Sequence, residues 1–486
     1  MPHIDHFPHP APTAESKTAE FAEILARQRA ACAVNPVPSL AERIADLRAL
    51  ERLLKENREA LVRAISSDYG QRSEFETLFG EYWVALQSIT SAIRQLRRWM
   101  RPQRRTIDHL LYPGASNRVI PQPLGVGGVI VPWNFPLNLS FIPLAAILAA
   151  GNRAMVKMSE NSAAFAQLLT EISPRYLPEE KLKFFSDGGG RGPAFSALPF
   201  DHLLFTGSGA TGRAVMASAA RHLTPVTLEL GGKSPAIVAP DFPIGIAAER
   251  IIWAKLFNAG QICTTVDHVY LAAGTETEFI RHCQRLVAAR VPDINGPDYT
   301  SIIDDRAYAR LHDTLRDAQQ KGATLINLAA GQLPDSARRK FPPHLVLGAT
   351  DDMIVMQREI FGPILPVLTY RDRHAVADEI NSRDRPLAIY PFTQDRELLR
   401  FYLAHVMSGG VSVNDALLHV VQHDLPFGGV GASGMGQYHG REGFNTFSKL
   451  RPVFYQGWFS MIQKLFQPPY AGRPMQVLKF LIRHRS

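Results

Sequence analysis

Between positions 39 and 65 the apolar residues Leu40, Ile44, Leu47, Leu50, Leu54, Leu61 and Ile65 recur at steps of three, four and seven. That is the stripe of one helix face. Ser39 followed by Glu42, just after Pro38, matches a capping box and sets the predicted start. A second helical pattern runs from 75 to 100. Residues 112–123 are short, polar and extended and end in Pro-Gln-Pro, which predicts a hairpin or excursion. From Val126 the texture changes to short apolar runs at 126–131, 153–157 and 202–205, separated by helical stretches. A second set follows at 235–238, 269–272 and 364–368. Short, mostly apolar runs alternating with helices predict buried parallel strands, so the fold class is α/β. The pattern places a domain change near Leu228. The longest apolar stretch, 137–150, is interrupted by Asn138, Ser140 and Pro143 and falls short of the roughly 18 residues a membrane span needs.

Composition narrows the picture without redirecting it. A chain of 486 residues exceeds one hydrophobic core, so two or three domains are expected. With 46% hydrophobic and 20% charged residues it reads as a soluble globular protein. The net charge of +8 suggests nucleic acid until it is mapped: +6 lies after Leu450, where there is no acidic residue. The basic excess belongs to the tail, and nucleic-acid binding is not expected. Cys32, Cys263 and Cys283 show no CxxC spacing, which fits a reduced cytoplasmic setting and no metal site. Cys283 sits on the apolar side of a helical pattern and reads as packing. The amino terminus has no apolar core of a signal peptide; it reads as a loose His/Pro-rich tail, with His3, His6 and His9.

Candidate chemistry centres on Cys263, in Asn258-Ala259-Gly260-Gln261-Ile262-Cys263-Thr264-Thr265, and on Glu229, in Leu228-Glu229-Leu230-Gly231-Gly232-Lys233. A thiol and a carboxylate at a glycine-flanked strand end suit two-step covalent catalysis at a carbonyl. Pro132-Trp133-Asn134-Phe135-Pro136-Leu137 follows a strand directly, and the Asn134 amide there could stabilise an oxyanion. It could equally cap the following helix. Phe205-Thr206-Gly207-Ser208-Gly209-Ala210-Thr211-Gly212 is a strand, a glycine-rich turn and a helix start, able to cradle a pyrophosphate, although GxGxxG is absent. Lys157 and Glu160 close another strand, either as ribose partners or as a solvated ion pair. Glu359-Ile360-Phe361-Gly362-Pro363 and the glycine-dense loop from Pro426 to Gly436 complete the set. Trp253 and Phe257, close to the thiol in sequence, either line the substrate pocket or, as is more common for such residues, pack in the core.

Taken in order, PWNFPL, FTGS, LELGGKSP, GQIC and EIFGP make residues 20–450 resemble the NAD(P)-dependent aldehyde dehydrogenase family. The stretches DYGQRSEFET, KMSEN and PFGGVGASGMGQYHGREGFNTFS look most like coniferyl aldehyde dehydrogenases of the short, class-3-like branch. The resemblance implies a variant Rossmann cofactor domain (20–111 and 124–227), an α/β catalytic domain (228–415) and a small bridging or oligomerisation element (112–123 and 416–450). A flexible tail (1–19) and a basic amphipathic tail (451–486) flank them. It implies Cys263 as nucleophile, Asn134 and the Cys263 amide as oxyanion donors, and Glu229 as the base that activates water. It also implies cofactor contacts from Trp133, Lys157, Glu160, Gly207, Ser208, Gly212, Glu359 and Phe361. NAD is the expected cofactor, with NADP as a second acceptor, because a carboxylate at Glu160 repels a 2′-phosphate. Met158, where the family usually has Pro or Leu, and the glycine-rich segment 186–192 depart from the family pattern. The expected substrate is a small aldehyde, of cinnamyl type or medium-chain aliphatic, and the expected assembly is a homodimer. The alternatives are a CoA-acylating aldehyde dehydrogenase, disfavoured by Glu229, and a non-catalytic binding protein on the same fold. The tail reads as cover for a partner subunit or the substrate funnel, or as a peripheral contact with an anionic membrane.

Overall fold

A computed structural model describes residues 14–485. The capping box forms: Ser39 N donates to Glu42 Oε2 at 2.6 Å, and Glu42 N donates to Ser39 Oγ at 3.3 Å. The single helix expected over 39–65 is two helices, Leu40–Glu56 and Arg58–Tyr69. Asn57 between them has φ −119° and ψ 15°, and its side-chain amide donates back to Leu53 O at 2.9 Å. A short polar side chain that bonds its own backbone competes with the helix at that point. The second helical stretch consists of Glu74–Thr77, a π-helical segment Leu78–Trp83, and Val84–Trp99.

Six strands form the first sheet, in the order Gly434–Met435, Val226–Glu229, His202–Thr206, Val126–Ile130, Arg153–Lys157, Leu182–Phe185. All pairings are parallel except that of Gly434–Met435. Strand order reverses at Val126–Ile130, whose neighbours lie on opposite sides, and this switch point opens a crevice at the carboxyl ends. The second sheet has seven strands: Thr324–Asn327, His344–Leu347, Ile364–Tyr370, His268–Ala272, Pro235–Val238, Ala388–Phe392 and Gly410–Val411. Its central strands are continuous buried runs, as two helix-covered faces require.

The chain passes between the two sheets after Glu229, one residue past Leu228, since Leu228 and Glu229 still pair with Phe205 and Thr206. Residues 112–123 do leave the body, and Ser116–Pro123 is the middle strand of a third, antiparallel sheet between Gln103–Arg105 and Ser448–Tyr455. That last strand runs through Arg451, where the tail was expected to begin, and Phe454 packs edge-on to Tyr112 at 5.6 Å. The amphipathic tail expected from 451 therefore starts as a strand, Ser448–Tyr455, followed by a short helix, Met461–Leu465. A helix, Ala14–Val34, enters the stretch expected to be flexible and buries Phe21 against Phe185 and Phe195. His3, His6 and His9 lie outside the described residues.

Candidate active site

Cys263 follows the helix Ile244–Leu256 through a turn in which Asn258 and Ala259 take left-handed dihedrals (φ 52° and 49°). Non-glycine residues pay for such angles, and the surrounding structure must hold them there. Here the holding is polar. Asn258 Nδ2 donates to Tyr69 Oη at 3.2 Å, to Asn134 O at 3.3 Å and to Gln261 O at 3.1 Å. Gln261 Nε2 donates to Asn258 O and Ser301 O, while Gln261 Oε1 accepts from Ile303 N. The turn aims Cys263 into a cavity. Burial pushes its thiol up to about 12, with the carboxylates of Glu359 and Glu229 adding to the rise; the Cys263 and Thr264 amides oppose it.

Asn134 meets this loop from the first sheet. Its side-chain amide donates to Gln261 O at 3.2 Å, its carbonyl accepts from Tyr69 Oη at 2.9 Å, and the residue is 4% exposed. One N–H of the amide is thereby fixed, which leaves the second for the cavity that Asn134 lines. The capping role open to Asn134 from sequence falls instead to Glu81. Its Oε2 accepts from Leu137 N at 2.7 Å and Asn138 N at 3.3 Å at the start of the helix Asn138–Ala149, and its other oxygen is ion-paired with Arg72.

Glu229 ends a strand between Thr206 and Gly434. The glycine-dense loop is what allows this pairing. Gly434 has φ +153°, and a Cβ there would collide with Leu228 O. Among the described residues neither Glu229 carboxylate oxygen has a hydrogen-bond partner, and burial raises its pKa well above the ordinary range. Two cavities meet here. One is walled by Phe79, Phe135, Trp253, Phe257, Phe427, Tyr438 and His439, with other apolar residues. The other is lined by Trp133, Gly207, Ser208, Gly231, Arg310, Glu359 and Phe361. Asn134, Thr206, Glu229 and Cys263 line both. Trp253 and Phe257 serve both readings open to them from sequence: they line the first cavity and pack on the core around the second sheet.

A third cavity continues along the switch-point crevice, lined by Trp133, Lys157, Glu160, Gly207, Ser208 and Arg221. Ser208 caps the helix Gly209–Ala220, accepting from Thr211 N at 3.3 Å, so a helix amino end faces the crevice as an anion site would require. Gly212 lines none of these cavities; it lets the helix approach Leu230, whose Cδ2 would lie 2.6 Å from an added Cβ. Glu359 has one buried oxygen without a partner, and burial, reinforced by Asp267, pushes its carboxyl up to about 8. Phe361 sits at φ 48°, edge-on to Trp133 at 5.4 Å. Three side chains that motif reading left without a role hold this loop. Arg310 donates to Ile360 O at 2.6 Å and Phe361 O at 3.2 Å, and Asp267 accepts from Ile360 N at 2.9 Å while paired with Lys233. Lys233 stands inside LELGGKSP and was the available signal; Arg310 and Asp267 carried none. An orphaned carboxylate, a helix amino end and a glycine-lined crevice fit a dinucleotide. Among the described residues no group of three or more metal-ligating side chains occurs.

A family model described as the aldehyde dehydrogenase family matches residues 11–453. A protein of Pseudomonas aeruginosa named probable coniferyl aldehyde dehydrogenase is 47% identical over 458 residues, 94% of this chain and 95% of that protein. A coniferyl aldehyde dehydrogenase of Pseudomonas sp. is 45% identical over 433 residues, 88% of this chain and 89% of that protein. Among solved structures, a substrate-bound state of Staphylococcus aureus AldH superposes with a TM-score of 0.88 at 30% identity, covering 95% of this chain and 99% of that one. A Mycobacterium tuberculosis aldehyde dehydrogenase complexed with NAD+ gives a TM-score of 0.81 at 26% identity, over 91% of this chain and 92% of that one.

Proposed function

The chain belongs to the aldehyde dehydrogenase family and uses NAD(P) to oxidise an aldehyde to its acid, and from that premise we propose that its substrates are aromatic, cinnamyl-type aldehydes. The observation that carries this is the wall of the first cavity. Phe257 stacks on Phe135 at 6.4 Å with planes 6° apart and meets Phe79 edge-on at 6.1 Å and Trp253 at 5.5 Å. Phe79 of that wall is sandwiched at 5.9 and 5.8 Å by Phe75 and Trp83, which lie outside the lining and are 69% and 46% exposed. Flat rings recognise a flat conjugated substrate, and the coniferyl substrate named for the Pseudomonas relatives supports the same class.

In the mechanism, the Cys263 sulfur adds to the aldehyde carbon. The free N–H of Asn134 and the Cys263 amide receive the negative oxygen, the kind of donor whose loss costs roughly 3 kcal/mol. Trp133, Gly207, Ser208, Glu359 and Phe361 would hold the dinucleotide, with Lys157 and Glu160 at its adenosine ribose; when bound it supplies a two-electron acceptor beside the sulfur. In its ionised form the Glu229 carboxylate takes a proton from water as that water attacks the Cys263 thioester and passes it to the departing sulfur, releasing acid and thiol. We place the enzyme in the cytoplasm as a homodimer. Its cysteines are free, and among the described residues no helix is long and apolar enough to cross a membrane.

The test is a panel of cinnamyl, benzyl and aliphatic aldehydes assayed by NADH appearance. We expect kcat/KM for the cinnamyl members to exceed that for hexanal by about tenfold or more. Equal values across the panel would reject the aromatic assignment.

A further inference from the structure

The glycine-rich segment Ser186-Asp187-Gly188-Gly189-Gly190-Arg191-Gly192 has no part in the chemistry above, yet its Gly192 lines the third cavity and its Asp187 holds the Lys157 ammonium that lines it too. The Asp187 carboxylate is ion-paired with Lys157 Nζ, and the two side chains are 5% and 6% exposed. Its other oxygen accepts from the Gly189 and Arg191 amides, each at 3.1 Å. Burial pushes the Asp187 carboxyl up, but Lys157 and these amides outweigh it, so it lies below the usual range and is charged at neutral pH. The segment is braced from behind. The Arg191 guanidinium lies 4.4 Å over the Phe21 ring, pairs with Glu20 and donates to Ser186 O at 3.2 Å. Gly192 forms the wall beside the ammonium, since an added Cβ would lie 3.9 Å from Lys157 Nζ.

Three charged side chains line the cavity: Lys157, Glu160 and Arg221. Arg221 is exposed at the far end of the helix Gly209–Ala220, and Glu160 is exposed with Ser159 Oγ donating to it at 3.3 Å. Lys157, paired with Asp187, offers N–H donors but almost no net charge. At the strand end itself Lys157, Asp187 and Glu160 leave one net negative charge, and Arg221 is the one cation of the cavity lining without a carboxylate paired to it among the described residues.

We propose that Asp187 is a positioning residue that sets cofactor discrimination: by neutralising Lys157 it removes the cation a 2′-phosphate would need, so the enzyme binds NAD in preference to NADP. This rests on the reading that Lys157 and Glu160 face the adenosine ribose. A neutral hydrogen-bond donor serves a ribose hydroxyl, whereas a phosphate needs charge.

Calorimetric titration of NAD+ and NADP+ without aldehyde tests it on wild type, Asp187→Asn, Lys157→Gln and the double variant. Asp187→Asn keeps an oxygen for the two amides while freeing the ammonium. It is expected to lower the ratio Kd(NADP)/Kd(NAD) about tenfold or more, and Lys157→Gln in the same chain is expected to cancel that gain. Lys157→Gln alone is expected to weaken both dinucleotides while moving the ratio less than about threefold. Equal changes in both Kd values for Asp187→Asn, or a gain that survives loss of Lys157, would overturn the proposal. Should Asp187→Asn lose its thermal transition, Lys157→Gln still decides: a tenfold loss confined to NADP would mean the ammonium already serves a phosphate. Separately, Lys157→Gln/Glu160→Gln binding NAD+ as tightly as wild type would remove the ribose reading beneath it.

Discussion

The Cys263 thiol is raised to about 12 by burial and by two neighbouring carboxylates, Glu359 first and Glu229 second. A raised thiol pKa means the neutral form dominates at pH 7, and the thiolate fraction grows about tenfold per pH unit until that pKa is reached. Alkylation of Cys263 by iodoacetamide should therefore accelerate steadily from pH 7 to pH 10 without levelling. Glu359→Gln and Glu229→Gln each remove a neighbour that is negative only once its raised carboxyl ionises, Glu359 at about 8, so each should bring the inflection down and speed alkylation at the alkaline end of the range rather than at pH 7. An unchanged profile in both variants would show that burial alone sets the thiol. The same logic explains why the aldehyde-facing cavity needs fixed donors. Among the described residues no lysine or arginine lines the aldehyde-facing cavity, so the oxyanion is met by Asn134 and a backbone amide.

Between residue and domain, the π-helical segment Leu78–Trp83 does two jobs. Its outer face stacks Phe79 and Trp83, and its inner face carries Glu81 to the amino end of the helix Asn138–Ala149, immediately after Asn134. Arg72, 5.0 Å over Tyr69 and 4.8 Å over Phe135, completes a pair with no exposed side-chain surface. Removing one member leaves the other charge buried and unmatched. Glu81→Leu or Arg72→Met should each cost about 3–5 kcal/mol in denaturant unfolding, and the double variant less than either. A double variant as unstable as the summed singles would mean the two act independently. None of this pairing was visible in the sequence, where Glu81 is one acid in an apolar stretch. Strands such as Arg153–Lys157 and Pro235–Val238 were legible because a doubly covered strand is a short apolar run bounded by polar turns. The break at Asn57 was not, because Leu54 and Leu61 stay in phase two helical turns apart. Cys263, Glu229 and Asn134 stood out as chemistry-bearing residues in unusual settings. Trp253 and Phe257 did not, since apolar residues at helical spacing look alike whether they face a core or a cavity.

At the scale of the molecule, the third sheet is the part that the body does not cover. Ser448–Tyr455 pairs on one side with Ser116–Pro123 and is the end of the sheet on the other. It presents Leu450, Phe454 and Tyr455 at 38%, 49% and 44% exposure. A long apolar edge strand invites pairing with another chain, and lone folds usually blunt such edges with charge or proline. Lys449, Arg451 and Pro452 do so toward its start, leaving Val453, Phe454 and Tyr455 as the apolar end. A second copy of this chain is the occupant that suits the proposed homodimer, because a twofold contact buries the same patch on both partners. Multi-angle light scattering should then give twice 53.9 kDa, and Leu450→Asp/Phe454→Asp should give the monomer with its circular dichroism unchanged. Truncation after Gln456 separates this edge from the basic tail beyond it. If the strand makes the dimer, the truncated chain stays dimeric and keeps its turnover. If the tail makes it, the truncated chain is monomeric even with Leu450 and Phe454 in place.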